Sequence, residues 1–253
     1  MTLALLHGFT GAPSSWDAVV RELRSGSAVG HADDDILAPY LAGHGPDPAR
    51  VRSFEAEVER LCALVERHAR APVHLAGYSM GGRVALAMLV SRPSLFRAAT
   101  LIGTRDGLYD PAERKERAAW ESRWVRLLEG KGLDAFLRAW EALPLWETQR
   151  EAPADRLAAQ REVRASHSPA GLAHALQVLG LAAMPALRER LRGLRIPVTL
   201  MTGALDPKFE RLAEPVARQL PDGRRLTVPG AGHNLLLERP EAVADVLNRN
   251  GSG

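Results

Sequence analysis

The stretch from Val73 to Val90, VHLAGYSMGGRVALAMLV, constrains the fold of this chain more than any other. An apolar run too short for a helix ends in Gly77-Tyr78-Ser79-Met80-Gly81, and an apolar helix-forming run follows at once. A G-x-S-x-G pentapeptide between a strand and a helix marks a sharp turn that holds a serine, backbone strained, at the end of a parallel sheet. The glycines have a steric task there, because side chains at Gly77 and Gly81 would collide with neighbouring backbone. Ser79 is therefore a candidate nucleophile or base. Arg83 lies outside the motif, yet at i+4 its side chain leans back toward Ser79 if the helix starts at the serine.

The rest of the chain repeats this rhythm. Short β-like runs at Leu3–Leu6, Ile36–Pro39, Val73–Ala76, Ala98–Ile102, Val198–Met201 and Arg225–Val228 alternate with helical patterns over Phe54–Arg70, Gly82–Val90, Phe209–Leu220 and Pro240–Asn248. Such alternation predicts βαβ units: an α/β protein with a mostly parallel sheet flanked by helices. Sheets of this kind carry their function at the carboxyl ends of the strands.

From about Gly107 to about Arg192 the rhythm stops. The interval has no convincing strand, is dense in arginine and holds four of the five tryptophans, Trp120, Trp124, Trp140 and Trp146. It reads as a helical lid insertion (107–192) within a core made of 1–106 and 193–250. For most of these tryptophans the simplest role is to form the insertion's own core. The net charge of +3, with basic residues scattered among glutamates, gives no reason to expect nucleic acid. No segment approaches the ~20 apolar residues of a membrane span, and the start lacks a basic, apolar leader pattern. A cytoplasmic protein is expected, with Cys62 a buried structural thiol in an amphipathic helix. The closing Gly-Ser-Gly is a small low-complexity tail.

A serine hydroxyl needs an imidazole to take its proton and a carboxylate to orient that imidazole. Asp206 follows the run IPVTLMTG, and His233 follows RRLTV, so the order Ser, Asp, His is set out at three strand ends. Taken singly, Asp206 could be an Asp-Pro turn former and His233 a loop residue capping a helix. Backbone N–H groups of Met80 and of Phe9, in LLHGFTG, are the natural oxyanion donors. His7 and His44 are read as turn residues and not as bases. No metal motif is present, and no cofactor is expected.

These residues resemble the α/β-hydrolase superfamily over essentially the whole chain: HGF after the first strand, GHG after the second, the elbow, a helical lid, then the Asp and Gly-His loops. Members carry two strands before the HGF strand. Here Leu3 follows Met1 almost directly, so the sheet is expected to lack its leading antiparallel strands. Arg83 leaves two readings open. It is either a helix arginine paired to a nearby carboxylate, or a guanidinium that recognises an anionic substrate.

At the combination GYSMGGR, the lid stretch from Gly107 to Trp124, the DPKF of Asp206–Phe209 and the AGHN of Ala231–Asn234, the chain is similar to one branch of that superfamily, the 2-succinyl-6-hydroxy-2,4-cyclohexadiene-1-carboxylate (SHCHC) synthases of menaquinone biosynthesis. The resemblance implies a lyase that eliminates pyruvate from a small anionic cyclohexene polycarboxylate (SEPHCHC). It implies substrate binding by Arg83, Arg117, Arg164, Tyr78 and Trp140, with Ser79, His233 and Asp206 acting as the base. The alternative is a carboxylesterase, thioesterase or C–C bond hydrolase that works through an acyl-enzyme.

Overall fold

The computed structural model describes residues 2–26, 36–69 and 72–249. Arg70, the last residue of one expected helix, and the Gly-Ser-Gly tail lie outside them. The core is a six-stranded sheet of β1 (Leu3–Leu6), β2 (Ile36–Leu37), β3 (Val73–Tyr78), β4 (Phe96–Ile102), β5 (Val198–Gly203) and β6 (Gly223–Val228), in the spatial order β2-β1-β3-β4-β5-β6. Every pairing is parallel. β1, β3 and β5 are buried along their whole length, as strands covered on both faces must be. One face packs on α2 (Phe54–His68), α3 (Met80–Ser91) and α8 (Pro207–Gln219), through apolar residues such as Leu61, Val84 and Val216. The other packs on α1 (Asp17–Gly26) and α10 (Pro240–Arg249), through Val19, Leu23, Val243 and Leu247.

Strand order reverses between β1 and β3, since the chain leaves β1 toward β2 on one side and returns to β3 on the other. Ligands of open parallel sheets sit at such a switch point, outside the carboxyl ends of the strands. The loop after β1 and the elbow after β3 are therefore neighbours. β3 runs two residues further than its apolar run suggests, and α3 begins at Met80, directly after the serine. A turn this tight leaves Ser79 at φ 52°, ψ −107°. A Cβ on Gly81 would stand 2.4 Å from the carbonyl oxygens of Leu6 and His7, and one on Gly77 2.5 Å from that of Gly81. Only glycine fits where α3 enters against the end of β1.

Between β4 and β5 the described residues form helices and no strand: α4 (Pro111–Glu141), α5 (Ala154–Ala165), α6 (Pro169–Leu179) and α7 (Arg188–Leu191). Asp110 caps α4 by accepting the N–H of Ala112, with Pro111 at the first helical position. α4 kinks at Gly132, whose φ of 76° is left-handed. Trp140 and Trp146 are buried with Phe136, Leu172 and Leu176, and Trp120, Trp124 and Phe9 pack against them. Phe9 comes from the loop after β1, so the segment's own core is plugged by the carboxyl end of the sheet.

The remaining two strands end in the Asp and His loops. Asp206 caps α8 by accepting the N–H of Phe209 at 3.2 Å, so the helix starts at Pro207 and not at Phe209 as its apolar pattern suggests. His233 lies between β6 and α9 (Leu235–Glu238). The Glu238 carboxylate holds its loop by accepting from the N–H groups of Gly232 and Asn234.

Candidate active site

Three strand ends bring Ser79, Asp206 and His233 together. His233 Nδ1 lies 2.8 Å from Asp206 Oδ2, and His233 Nε2 lies 3.1 Å from Ser79 Oγ. Because a carboxylate only accepts, Nδ1 carries the proton and Nε2 is left to accept from the serine hydroxyl. Asp206 and His233 are both buried. The imidazole is walled by aromatic rings, with Phe209 at 4.4 Å, Tyr78 at 5.5 Å and Trp146 at 5.7 Å between centroids. That wall fixes the ring's plane while leaving the Nε2 edge to Ser79.

Met80 is the first residue of α3, where an N–H has no intrahelical acceptor. Among the described residues neither its N–H nor that of Phe9 carries a hydrogen bond to the protein. Both residues line a cavity of about 630 Å³ that also contains Ser79 and His233. Tyr78 lines it too, its buried hydroxyl without a partner among the described residues and raised by burial well above the usual tyrosine value, so it stays protonated.

Arg83 lines the same cavity and is only 9% exposed. Its Nη1 donates to the carbonyl of Leu179 at 3.0 Å, and among the described residues no carboxylate pairs with it. Burial holds this guanidinium down at about 10. The Glu121 carboxylate acts the other way, and Arg117 and Arg105 add to the depression. Arg117 is differently placed: its Nε bonds Glu121 Oε1 at 2.8 Å, and its guanidinium sits 4.2 Å from the Trp120 ring centre. Trp140 also lines the cavity, with its indole N–H unpartnered among the described residues.

Arg164 is the exception among the expected residues. It pairs with Glu141 at 2.8 Å and lines a second cavity, of about 660 Å³, enclosed largely by α1 and α5. The two cavities meet at Phe9, Tyr78 and Trp146. Two further cations of the first cavity escaped the sequence reading, Arg105 and Lys208. Arg105 pairs with Glu113 at 3.1 Å. Lys208 is exposed on one side and has no ion pair among the described residues. Its partial burial lowers the ammonium below the usual lysine value, with Arg117 and Arg105 acting in the same direction and Asp206 and Glu113 against it. Both had a signal: Arg105 is three residues past β4, and Lys208 is two past Asp206, at strand ends that carry the site. No group of three or more metal-ligating side chains is found among the described residues.

A serine at a strained elbow, bonded to a histidine that is bonded in turn to an aspartate, on a parallel sheet with helices inserted after β4, defines a class. The chain belongs to the alpha/beta hydrolase family, whose model matches residues 3–246, and it is an enzyme of that fold. Within the family it is similar to 2-succinyl-6-hydroxy-2,4-cyclohexadiene-1-carboxylate synthase of Enterobacter sp. (strain 638), at 31% identity over 97% of this chain and 89% of the relative. The structure of MenH from S. aureus is similar at a TM-score of 0.90 and 26% identity, covering 99% of this chain and 92% of that one. A thermophilic esterase from Thermogutta terrifontis, with malate bound, matches at a TM-score of 0.79 and 25% identity, over 98% and 88% of the two chains.

Proposed function

We propose that the protein is a lyase of menaquinone biosynthesis that eliminates pyruvate from a cyclohexene polycarboxylate, the reaction of the SHCHC synthases it resembles. The observation that carries this reading is Arg83. A guanidinium buried beside the serine, held to one carbonyl and, among the described residues, to no carboxylate, costs desolvation free energy that only an anionic ligand offsets. A site for neutral esters has no use for it.

In this reading Ser79 Oγ gives its proton to His233 Nε2 as it takes one alpha to the substrate carbonyl. Asp206 stabilises the imidazolium that forms. The electron pair moves onto the carbonyl oxygen, where the N–H groups of Phe9 and Met80 bind the oxyanion. When the carbonyl re-forms, that pair makes the new carbon–carbon double bond and the carbon–oxygen bond to the enolpyruvyl group breaks. The leaving oxygen takes the proton back, and the released enol becomes pyruvate.

Arg83 and Arg117 hold substrate carboxylates in the first cavity, the latter through its terminal nitrogens, since Nε is occupied by Glu121. Tyr78 and Trp140 donate from the wall. Arg164 takes a carboxylate only on the far side of Phe9, Tyr78 and Trp146, so the substrate spans both cavities or the second closes onto the first. Residues 107–192 act as the lid over this space, on a core of 1–106 and 193–250.

The malate-bound esterase supports a second reading, in which Ser79 forms an acyl-enzyme on small acidic esters. Incubation with SEPHCHC and measurement of pyruvate separates the two. Pyruvate release by the wild type, with no acyl-enzyme trapped, supports elimination. Its absence together with hydrolysis of acidic esters establishes the second reading.

A further inference from the structure

The loop that carries Phe9 is held by a reciprocal pair of histidines. In the loop after β1, His7 Nδ1 lies 2.8 Å from its own loop's Gly8 carbonyl oxygen, and His7 Nε2 accepts the N–H of Leu41 at 3.1 Å. In the loop after β2, His44 Nδ1 lies 3.1 Å from its own loop's Ala42 carbonyl oxygen, and His44 Nε2 accepts the N–H of Thr10 at 3.2 Å. Each ring thus clasps the other loop. Because a backbone N–H can only donate, both tautomers are settled: Nε2 is the acceptor, and Nδ1–H donates to the carbonyl. The rings lie 4.9 Å apart, edge to face, and both are fully buried.

These bonds fall on the two peptide units that flank the Phe9 Cα. The first contains the Gly8 carbonyl and the Phe9 N–H, which point in opposite directions in a trans peptide. His7 and the Gly11 N–H both bind that carbonyl, so the Phe9 N–H is directed away from them. The second peptide contains the Thr10 N–H, held by His44, and Thr10 itself has a left-handed φ of 62°. A β-branched residue stays in that region only where its surroundings impose it.

We propose that His44 is a positioning residue for the oxyanion contact: by accepting the Thr10 N–H it fixes the second peptide, and with His7 on the first it aims the Phe9 N–H. This rests on the reading of Phe9 as an oxyanion donor. A third ring, His167 from the junction of α5 and α6, stands edge-on to His44 at 5.3 Å and accepts the N–H of Gly45 at 3.3 Å, tying the clasp to the helical segment.

The test compares His44→Phe, which keeps a ring but has no acceptor, with His44→Gln, whose Oε1 reaches the place of Nε2. The main readout is the rate at which a small neutral fluorophosphonate phosphonylates Ser79, followed by intact mass. It is accompanied by kcat and KM for a neutral aryl ester and by thermal unfolding. His44→Phe is expected to lower phosphonylation and kcat roughly 10- to 100-fold with KM within about twofold, and His44→Gln to recover most of the loss. Should His44→Phe fail to fold, His44→Asn takes its place, since its short amide bonds Ala42 but does not reach Thr10. Wild-type phosphonylation by the Phe or Asn variant, equal losses in the Gln variant, or a rise in KM with kcat unchanged would each overturn the assignment. The probe does not need the lyase substrate. Failure of the wild type to release pyruvate therefore rejects the proposed reaction and leaves the role of His44 to be decided by phosphonylation.

Discussion

Replacing Arg83 with methionine is expected to raise or preserve stability while abolishing most of the activity on a polycarboxylate. The guanidinium is held down at about 10 by burial. At about 1.4 kcal/mol per pH unit, this depression from the ordinary arginine range corresponds to about 3 kcal/mol against keeping the charge in the fold. A cation whose folded pKa lies below its unfolded value binds fewer protons when folded, so stability recovers only above about pH 10. At neutral pH the whole penalty is present. Methionine fills a similar volume without charge, but it leaves the Leu179 carbonyl without its donor, which costs about 1–3 kcal/mol. The balance is a gain of about 0–2 kcal/mol, or a Tm unchanged to several degrees higher at about 2–4 °C per kcal/mol for a chain of this size.

On the polycarboxylate the same change should remove the proposed charge-assisted contact to a desolvated anion. That is worth about 2–5 kcal/mol, a loss of roughly 30- to several-thousand-fold in kcat/KM. A neutral aryl ester makes no such contact and is hydrolysed as by the wild type. Arg117→Met is the contrasting control, because it strips a partner from buried Glu121, which also accepts from the N–H groups of Leu181 and Ala182. It should lower both stability and activity. The assay is differential scanning calorimetry alongside pyruvate release and ester hydrolysis for each protein. A Tm several degrees lower for Arg83→Met, with equal losses on both substrates, would show that Arg83 supports the fold and has no part in recognition.

Ser79→Ala and His233→Ala should each lower turnover by about 10³–10⁶-fold with unchanged circular dichroism, because in the proposed mechanism the three groups act as a unit. Asp206→Asn should lose about 10⁴-fold in kcat yet keep the cap of α8, whereas Asp206→Ala should lose a further ~1 kcal/mol of stability in urea denaturation through Phe209. Lys208→Met should reduce kcat/KM for the polycarboxylate roughly tenfold, less at high salt, and leave ester hydrolysis unchanged; equal rates on the polycarboxylate would remove Lys208 from recognition. Stability should also fall in acid. Burial depresses His7 and His74 from the ordinary 6.5 to about 4, so each contributes about 3 kcal/mol that is present above pH 6.5 and lost as pH falls toward 4. Urea midpoints at pH 7.5, 5.5 and 4.5 that do not decline would contradict this.

What could be read from the sequence was whatever carries local chemistry. The elbow combines glycines with a strand and a helix, and the Asp and His loops each follow an apolar run. So the strand ends and the Ser, Asp, His order are legible without knowing how strands pair. The bond between Arg117 and Glu121 is legible too, as an i,i+4 pair on one helix face, although the resemblance singles out Arg117 for substrate binding alone. The histidine clasp was not legible. Its two bonds each join residues 34 apart, and they exist only because strand order places the loops after β1 and β2 side by side. The same holds for Arg164, whose partner Glu141 is 23 residues away on another helix. Its place in the second cavity follows from how α5 faces α1 across that space, which no periodicity records.

These two kinds of legibility bear unequally on function. The proposed triad could activate Ser79 for an acyl-enzyme as well as for proton abstraction, so the part of the site easiest to read in sequence says least about the reaction. What differs is which cations stay uncommitted. Of the four in the first cavity, Arg105 and Arg117 have protein carboxylates, whereas among the described residues Arg83 and Lys208 have none. They also differ in setting, one buried behind the serine and one exposed beside the aspartate. In the proposed reaction the buried Arg83 acts on a substrate carboxylate with little screening, while the exposed Lys208 acts through a Debye length of about 8–10 Å at moderate salt. Salt should therefore weaken capture of the substrate far more than it weakens discrimination for an anion at the serine.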